Sequence, residues 1–182
     1  AALVARNGLD PSRIDSVPTG IDESRFRPGA RDEARQGLGL PIDRTLVGIV
    51  ATLRSWKGHR YLVEAVAGLP ASIGLVIVGD GPQRAALEAQ VAGLSGRVWM
   101  PGNQQDVRPW LHALDVFALP SYANEGVPQA LVQAMMCGLA CGTTDAGSSG
   151  ELALHERTAI VVPRQDAAAL RDAIARLAAD EG

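Results

Sequence analysis

Short apolar runs alternate with segments of helical spacing along most of the chain. Residues 46–53 and Ile73–Val78 are almost continuously apolar, as expected for strands buried on both faces of a parallel sheet. Between them, residues 59–69 carry apolar side chains every three or four positions, which predicts a helix. The pattern therefore predicts a strand, a helix and a second strand in succession.

The same alternation continues towards the end of the chain. Further strands are predicted at residues 97–100, 116–119, 139–143 and 159–162. Further helices are predicted around Leu87 and Val91, at residues 106–114, 127–137 and 149–154, and from a cap at Asp166 to about residue 179. Residues 30–44 are polar and broken by glycine and proline, and we expect a surface excursion there. Repeated strand–helix units with short connections predict a Rossmann-like α/β fold with three layers, a parallel sheet between two layers of helices.

Composition narrows the possible functions. The chain has 182 residues, of which 47% are hydrophobic, enough for one full core. Its 17 Lys and Arg against 20 Asp and Glu leave a net charge of -3, so there is no basic excess for nucleic acid. Two cysteines exclude a disulfide scaffold, and no apolar run approaches the ~18–20 residues that span a bilayer.

The segments that follow the strands are the candidate binding segments, because ligands of such sheets bind beyond the carboxyl ends of the strands. Glu125 is the one charged residue between Asp115 and Asp145. It either caps the following helix or accepts hydrogen bonds from a hydroxyl-rich ligand. Gly126 beside it allows close backbone approach, and the helix start suits an anion.

Two further positions could contribute to the same site. Gln133 follows Glu125 by eight residues, which in one continuous helix places the two side chains within about 80° of each other. It either lines one edge of a ligand with Glu125 or is an ordinary helix glutamine. Arg54 and Lys57 flank a tight loop before Gly58, where they either grip a diphosphate or are surface cations.

Other chemistries find little support. No G-x-G-x-x-G follows the first strand, and the chain has neither a P-loop nor a G-x-S-x-G elbow. Three histidines lie on separate predicted elements, and Cys137 and Cys141 are best explained as buried small residues rather than zinc ligands.

Taken in order, several stretches resemble the C-terminal, nucleotide-sugar-binding domain of retaining GT-B glycosyltransferases of family 4. They are Val17-Pro18-Thr19-Gly20-Ile21-Asp22 together with Arg25-Phe26-Arg27-Pro28 as one motif, residues 53–58, Val78-Gly79-Asp80-Gly81-Pro82, Leu119-Pro120-Ser121, Glu125-Gly126-Val127-Pro128 and residues 134–139. Each motif is weak by itself, whereas six in the family's order are specific.

The resemblance implies transfer of a sugar from a nucleoside diphosphate sugar, such as a UDP- or GDP-sugar, to an acceptor hydroxyl with retained configuration. It implies no cofactor and no metal, since positive side chains and helix-end N–H groups stabilise the leaving diphosphate. Lys57 would grip the diphosphate and Glu125 would bind the hydroxyls of the donor sugar. The remaining implied contacts are backbone donors at Gly126, Val127 and Gln129, a ribose contact at Gln133, and nucleobase contacts at Met100, Pro101 and Gly102.

Two positions depart from the family pattern. The second glutamate of the family's E-x7-E signature is Gln133, which can still accept and donate at a ribose hydroxyl. The basic residue expected immediately before Leu53 is Thr52, and Arg54 is the alternative source of that guanidinium.

The resemblance also carries expectations about the whole protein. Residues 1–16, which begin with a predicted helix at 1–6, would be the linker to a missing N-terminal domain, and residues 17–182 the donor domain without its final crossover helix. The acceptor, a glycan or lipid-linked sugar, would bind that other domain, so this chain alone would be inactive. We expect a cytoplasmic protein of surface polysaccharide or lipopolysaccharide assembly, either free or peripheral at the inner face of the membrane.

Three other interpretations remain open at this point. A GT-B-like nucleotide-sugar epimerase or glycogen-type phosphorylase relative would give free sugar or epimer instead of a glycoside. A non-catalytic nucleotide-sugar-binding module would bind without transfer, and Gln133 favours it. An oxidoreductase that uses NAD is the least favoured of the three interpretations.

Overall fold

Six parallel strands form one sheet in the computed structural model, which describes residues 20–94, 96–147 and 149–179. The strands are β1 (Thr45–Val50), β2 (Ile73–Val78), β3 (Val98–Gly102), β4 (Val116–Leu119), β5 (Ala140–Thr144) and β6 (Ile160–Val162). The helices are α1 (Arg31–Leu38), α2 (His59–Ala67), α3 (Arg84–Val91), α4 (Arg108–His112), α5 (Gln129–Met136), α6 (Ser149–Leu152) and α7 (Ala167–Ala179), and 3-10 helices lie at Ser55–Lys57 and Ala92–Leu94. The helix expected at 1–6, the linker at 1–16 and the motif residues 17–19 lie outside the described residues.

The strand order is β3-β2-β1-β4-β5-β6, so the direction of growth reverses between β1 and β4. These two strands pair side by side, with Val47 opposite Val116. Because crossovers between parallel strands are almost always right-handed, such a reversal places the helices of the two halves on opposite faces. The predicted Rossmann-like fold with helices on both faces is confirmed. In sheets of this kind ligands bind beyond the carboxyl ends of the strands at the reversal, which here are β1 and β4.

The core lies between the sheet and both helix layers. Every residue of β2 is buried, and β1 is buried from Leu46 to Ile49. On one side α7 packs against α2 and buries Leu170 and Ile174. Asp166 caps α7 as predicted, with its carboxylate accepting from the Ala169 amide at 2.9 Å. No helix among the described residues is long and apolar enough to cross a bilayer.

Residues 30–44 lie mostly at the surface, as expected, but they contain a helix that the sequence pattern did not predict. The segment contains α1, which ends at Gly39 in the left-handed conformation, φ 67°. Its one buried residue is Arg35, whose guanidinium donates to three backbone carbonyls, those of Ala113 at 2.8 Å, Arg44 at 2.9 Å and Ile42 at 3.2 Å. Apart from this buried charge, Ala34 and Leu38 alone pack against the core among the residues of this helix, which is too short an apolar pattern to predict it.

Several element ends also differ from prediction. The first strand ends at Val50 instead of residue 53, because the Leu53 amide bonds to the Asp80 carbonyl at 2.9 Å rather than to a strand. Helix α4 is shorter than expected, and α5 begins at Gln129 instead of residue 127. Because α5 begins at Gln129, Glu125 lies before the helix that carries Gln133.

Candidate functional site

Two loops meet at the point where the strand order reverses. The Tyr122 amide, beyond β4, donates to the Trp56 carbonyl, beyond β1, at 2.9 Å. A Cβ at Gly58, which has φ 76°, would lie 2.0 Å from the Pro120 carbonyl oxygen. The backbones therefore touch, and glycine is required where they do. This contact brings the Lys57 segment against the Glu125 segment.

Lys57 and Glu125 form a largely buried ion pair at this junction. The Lys57 Nζ lies 2.6 Å from Glu125 Oε1, and the two side chains are 22% and 4% exposed. The Ser121 hydroxyl donates to the same Oε1. A carboxylate this deeply buried requires such partners. The Glu125 side chain does not cap the following helix, because the hydrogen bonds that it accepts come from the Lys57 ammonium and the Ser121 hydroxyl.

A third loop, after β5, supports the Glu125 segment from the other side. A Cβ at Gly147 would lie 1.9 Å from the Glu125 carbonyl oxygen and 2.9 Å from its Cβ, and Gly147 has φ 57°. Asn124 adopts φ 54°, which turns the chain immediately before Glu125. Buried Thr144 at the end of β5 donates its hydroxyl to the Ser121 carbonyl. Three loops thus determine where the Glu125 side chain lies.

Gln133 is not placed by a helix shared with Glu125. Helix α5 begins at Gln129 with Pro128 as its N-cap residue, so Glu125 precedes the helix and the 80° argument was wrong. Gln133 is half-buried on the second turn of α5 and hydrogen-bonds neither Lys57 nor Glu125 in the described structure. Gly126 and Val127 are exposed at the mouth of the junction, and a Cβ at Gly126 would meet nothing within 4 Å.

The other predicted site residues lie along the same edge of the sheet. Arg54 is exposed, with its guanidinium 5.6 Å from the centre of the Trp56 ring. Thr52 lines a small cavity of about 140 Å³ together with Gly79, Asp80, Asn103 and Gln104. Met100, Pro101 and Gly102 form the half-buried end of β3 next to this cavity.

Sequence reasoning assigned no role to His59, the first residue of α2. The residue is 2% exposed, and neither ring nitrogen makes a hydrogen bond of normal geometry within the described part of the chain. Burial and the nearby Lys57 cation lower the pKa of His59 to about 4. The imidazole is therefore neutral at pH 7, and Lys57 carries the positive charge of this junction.

The cysteines pack as predicted. Cys137 and Cys141 are free and buried, and burial raises the pKa of Cys141 to about 12. Over residues 20–94, 96–147 and 149–179, His, Cys, Asp and Glu nowhere form a group of three that could hold a metal.

The topology defines a doubly wound, Rossmann-like α/β domain. The family follows from comparison with known sequences. Residues 44–180 match the family model for glycosyl transferases group 1, and the chain belongs to that family.

Relatives and solved structures agree with this assignment. The chain is 36% identical over 172 residues to the putative teichuronic acid biosynthesis glycosyltransferase TuaC of Bacillus subtilis, covering 93% of this chain and 42% of TuaC. It superimposes on Anabaena HepE, solved with UDP and glucose, with a TM-score of 0.89 and 26% identity, covering 98% of this chain and 51% of HepE. The C-terminal domain of the group 1 glycosyltransferase LpcC from Francisella tularensis matches with a TM-score of 0.77 and 25% identity, over 88% of this chain and 89% of that domain. The chain spans less than half the length of the curated relatives it matches, and the fold is that of a C-terminal GT-B domain.

Proposed function

We propose that this domain binds the nucleoside diphosphate sugar of a retaining glycosyltransferase. The observation that carries the proposal is the Lys57–Glu125 pair, a cation and a carboxylate joined at 2.6 Å beyond the ends of β1 and β4, where such sheets bind ligands. A diphosphate needs the cation, and a sugar hydroxyl needs the acceptor. The structure of HepE with UDP and glucose supports this class of ligand.

In the proposed reaction, the bond between the sugar carbon and the diphosphate oxygen breaks while the acceptor oxygen bonds to that carbon on the same face. The products are a glycoside and the nucleoside diphosphate, which takes up the acceptor's proton. Charge develops on the leaving diphosphate, and the Lys57 ammonium stabilises it, so we propose that no metal is required. Glu125 accepts from the sugar hydroxyls and thereby orients the reacting carbon.

The rest of the donor extends along the carboxyl edge of the sheet. We assign the nucleobase to Met100, Pro101 and Gly102, beside the cavity lined by Thr52 and Asn103. The ribose is assigned to Gln133, and further diphosphate contacts to Arg54 and to the backbone at Gly126, Val127 and Gln129. We assign the acceptor to a growing surface polysaccharide or lipopolysaccharide. The name of the similar Bacillus subtilis protein, a putative teichuronic acid biosynthesis glycosyltransferase, supports the polysaccharide.

Calorimetric titration tests the donor assignment. The wild-type chain is expected to bind at least one of UDP, GDP, ADP and their sugars. Lys57→Ala should weaken the nucleoside diphosphate, and Glu125→Ala should lose the extra affinity of the nucleotide sugar. Arg60→Ala is a matched control, because Arg60 is an exposed cation of the same segment that stacks on Tyr61, 4.8 Å from its ring centre. Absence of binding to every nucleotide in the panel would contradict the proposal.

A second candidate is a module that binds nucleotide sugars without transferring them. Gln133 favours it, because an amide lacks the charge of the family's second glutamate. The two functions are separated by incubating the protein that contains this chain with donor and saccharide acceptors. A transferase releases nucleoside diphosphate in step with glycoside, whereas a binding module releases none.

A further inference from the structure

The Glu125 carboxylate is held by one of its two oxygens. Both the Lys57 ammonium, at 2.6 Å, and the Ser121 hydroxyl donate to Oε1. Within the described residues no donor reaches Oε2. A carboxylate oxygen accepts about two hydrogen bonds, so Oε1 is filled by protein donors and Oε2 is left for a ligand.

The two donors differ in how firmly they are fixed. Ser121 is 1% exposed, and its own carbonyl accepts from the Thr144 hydroxyl of the neighbouring strand. The Thr144 oxygen in turn accepts from the Ala146 amide at 3.4 Å. Lys57 has a long side chain that is 22% exposed. The serine is therefore the rigid donor and the lysine the movable one.

We propose that Ser121 is a positioning residue that aims Glu125 Oε2 at the donor sugar. The inference rests on the proposed function, in which Lys57 binds the diphosphate, and it adds that the lysine side chain turns from Glu125 towards the diphosphate when the donor binds. Its ammonium then leaves Oε1, and the Ser121 hydroxyl is the protein donor that stays. Ser121 determines the orientation of the carboxylate at the moment when the sugar is recognised, without touching the sugar itself.

The test compares a nucleotide sugar with its nucleoside diphosphate. Wild type is first titrated with UDP-glucose, UDP-galactose, UDP-N-acetylglucosamine and GDP-mannose, and the tightest is kept together with its UDP or GDP. Ser121→Ala is expected to weaken the nucleotide sugar roughly tenfold, the value of one hydrogen bond to a charged group. The nucleoside diphosphate should change by less than about twofold, because it has no sugar for Glu125 to hold.

Thr143→Val is the matched control. It removes another buried hydroxyl of the same region, which donates to the Leu119 carbonyl at 2.9 Å and does not contact Glu125. The free energy of unfolding of this variant is expected to fall. The ratio of its affinities for the nucleotide sugar and the nucleoside diphosphate should stay as in wild type. If Ser121→Ala does not fold, Ser121→Cys keeps the size with a weaker donor and should give an intermediate ratio.

The outcomes separate the two proposals. If wild type binds no nucleotide, the proposed function fails. If wild type prefers the nucleotide sugar and Ser121→Ala keeps the same preference, the positioning role alone is overturned. If Ser121→Ala loses affinity equally for both ligands, the serine has only a structural role. If wild type binds both ligands with equal affinity, Glu125 does not hold the sugar. Either result also overturns the inference.

Discussion

Arg35 and Arg31 offer a paired test of what burial does to an ion pair. Both contact Asp115, Arg35 at 2.5 Å through Oδ2 and Arg31 at 2.8 Å through Oδ1. Their side chains are 1% and 52% exposed. The two arginines therefore share a partner and a charge and differ in solvent access. We predict that Arg35→Met is far more destabilising than Arg31→Met.

The magnitude follows from the groups left behind. Arg35→Met keeps most of the aliphatic stem but leaves the Ala113, Ile42 and Arg44 carbonyls without the guanidinium. Asp115 retains the Leu46 amide at 2.6 Å, which limits the cost at that end. Breaking a buried charge pair costs about 3–5 kcal/mol. Arg31→Met should cost about 0–1 kcal/mol, because exposed pairs are screened by water.

Equilibrium urea unfolding at pH 7, followed by far-ultraviolet circular dichroism, measures both variants against wild type. A loss of about 3–5 kcal/mol is a large part of the about 5–15 kcal/mol that holds such a domain folded, so the Arg35 variant should unfold at much lower urea. Adding 0.5 M NaCl should reduce the small Arg31 effect further and leave the Arg35 effect nearly unchanged. Losses within about 1 kcal/mol of each other would refute the reasoning that burial decides the contribution.

Three further predictions concern the site. Glu125→Gln should tighten UDP or GDP binding by about three- to tenfold, because Lys57 is released and a repelling carboxylate is gone; calorimetry showing weaker binding would contradict this. The depressed folded pKa of His59, about 4, means that the unfolded chain takes up the proton first. The stabilisation that depends on neutral His59 is thus complete above pH 6.5, and the free energy of unfolding falls by about 3 kcal/mol towards pH 4. Urea unfolding at several pH values should show this fall in wild type and not in His59→Gln. Gly147→Ala should cost at least about 2 kcal/mol, since its Cβ meets backbone at 1.9 Å and φ is 57°, whereas Gly126→Ala, with open space, should change thermal stability little.

The amino-acid sequence by itself determined the order of the six strands and of the helices that follow them. Buried strands such as Ile73–Val78 and the capped helix α7 could be predicted because each is encoded by local periodicity and a local cap. The same reading marked Glu125 and Lys57, because an isolated charge in an apolar stretch and cations beside a glycine are visible without any partner.

Only the tertiary structure decided how those residues meet. Lys57 and Glu125 are 68 positions apart, and their contact depends on β1 lying beside β4, which no local pattern encodes. Helix α1 escaped prediction because its anchor is a buried arginine satisfied by distant carbonyls. The role of Ser121 likewise depends on a neighbouring strand. Local periodicity reports which side of an element is buried, whereas hydrogen bonds between distant segments follow from topology, and the site consists of such bonds.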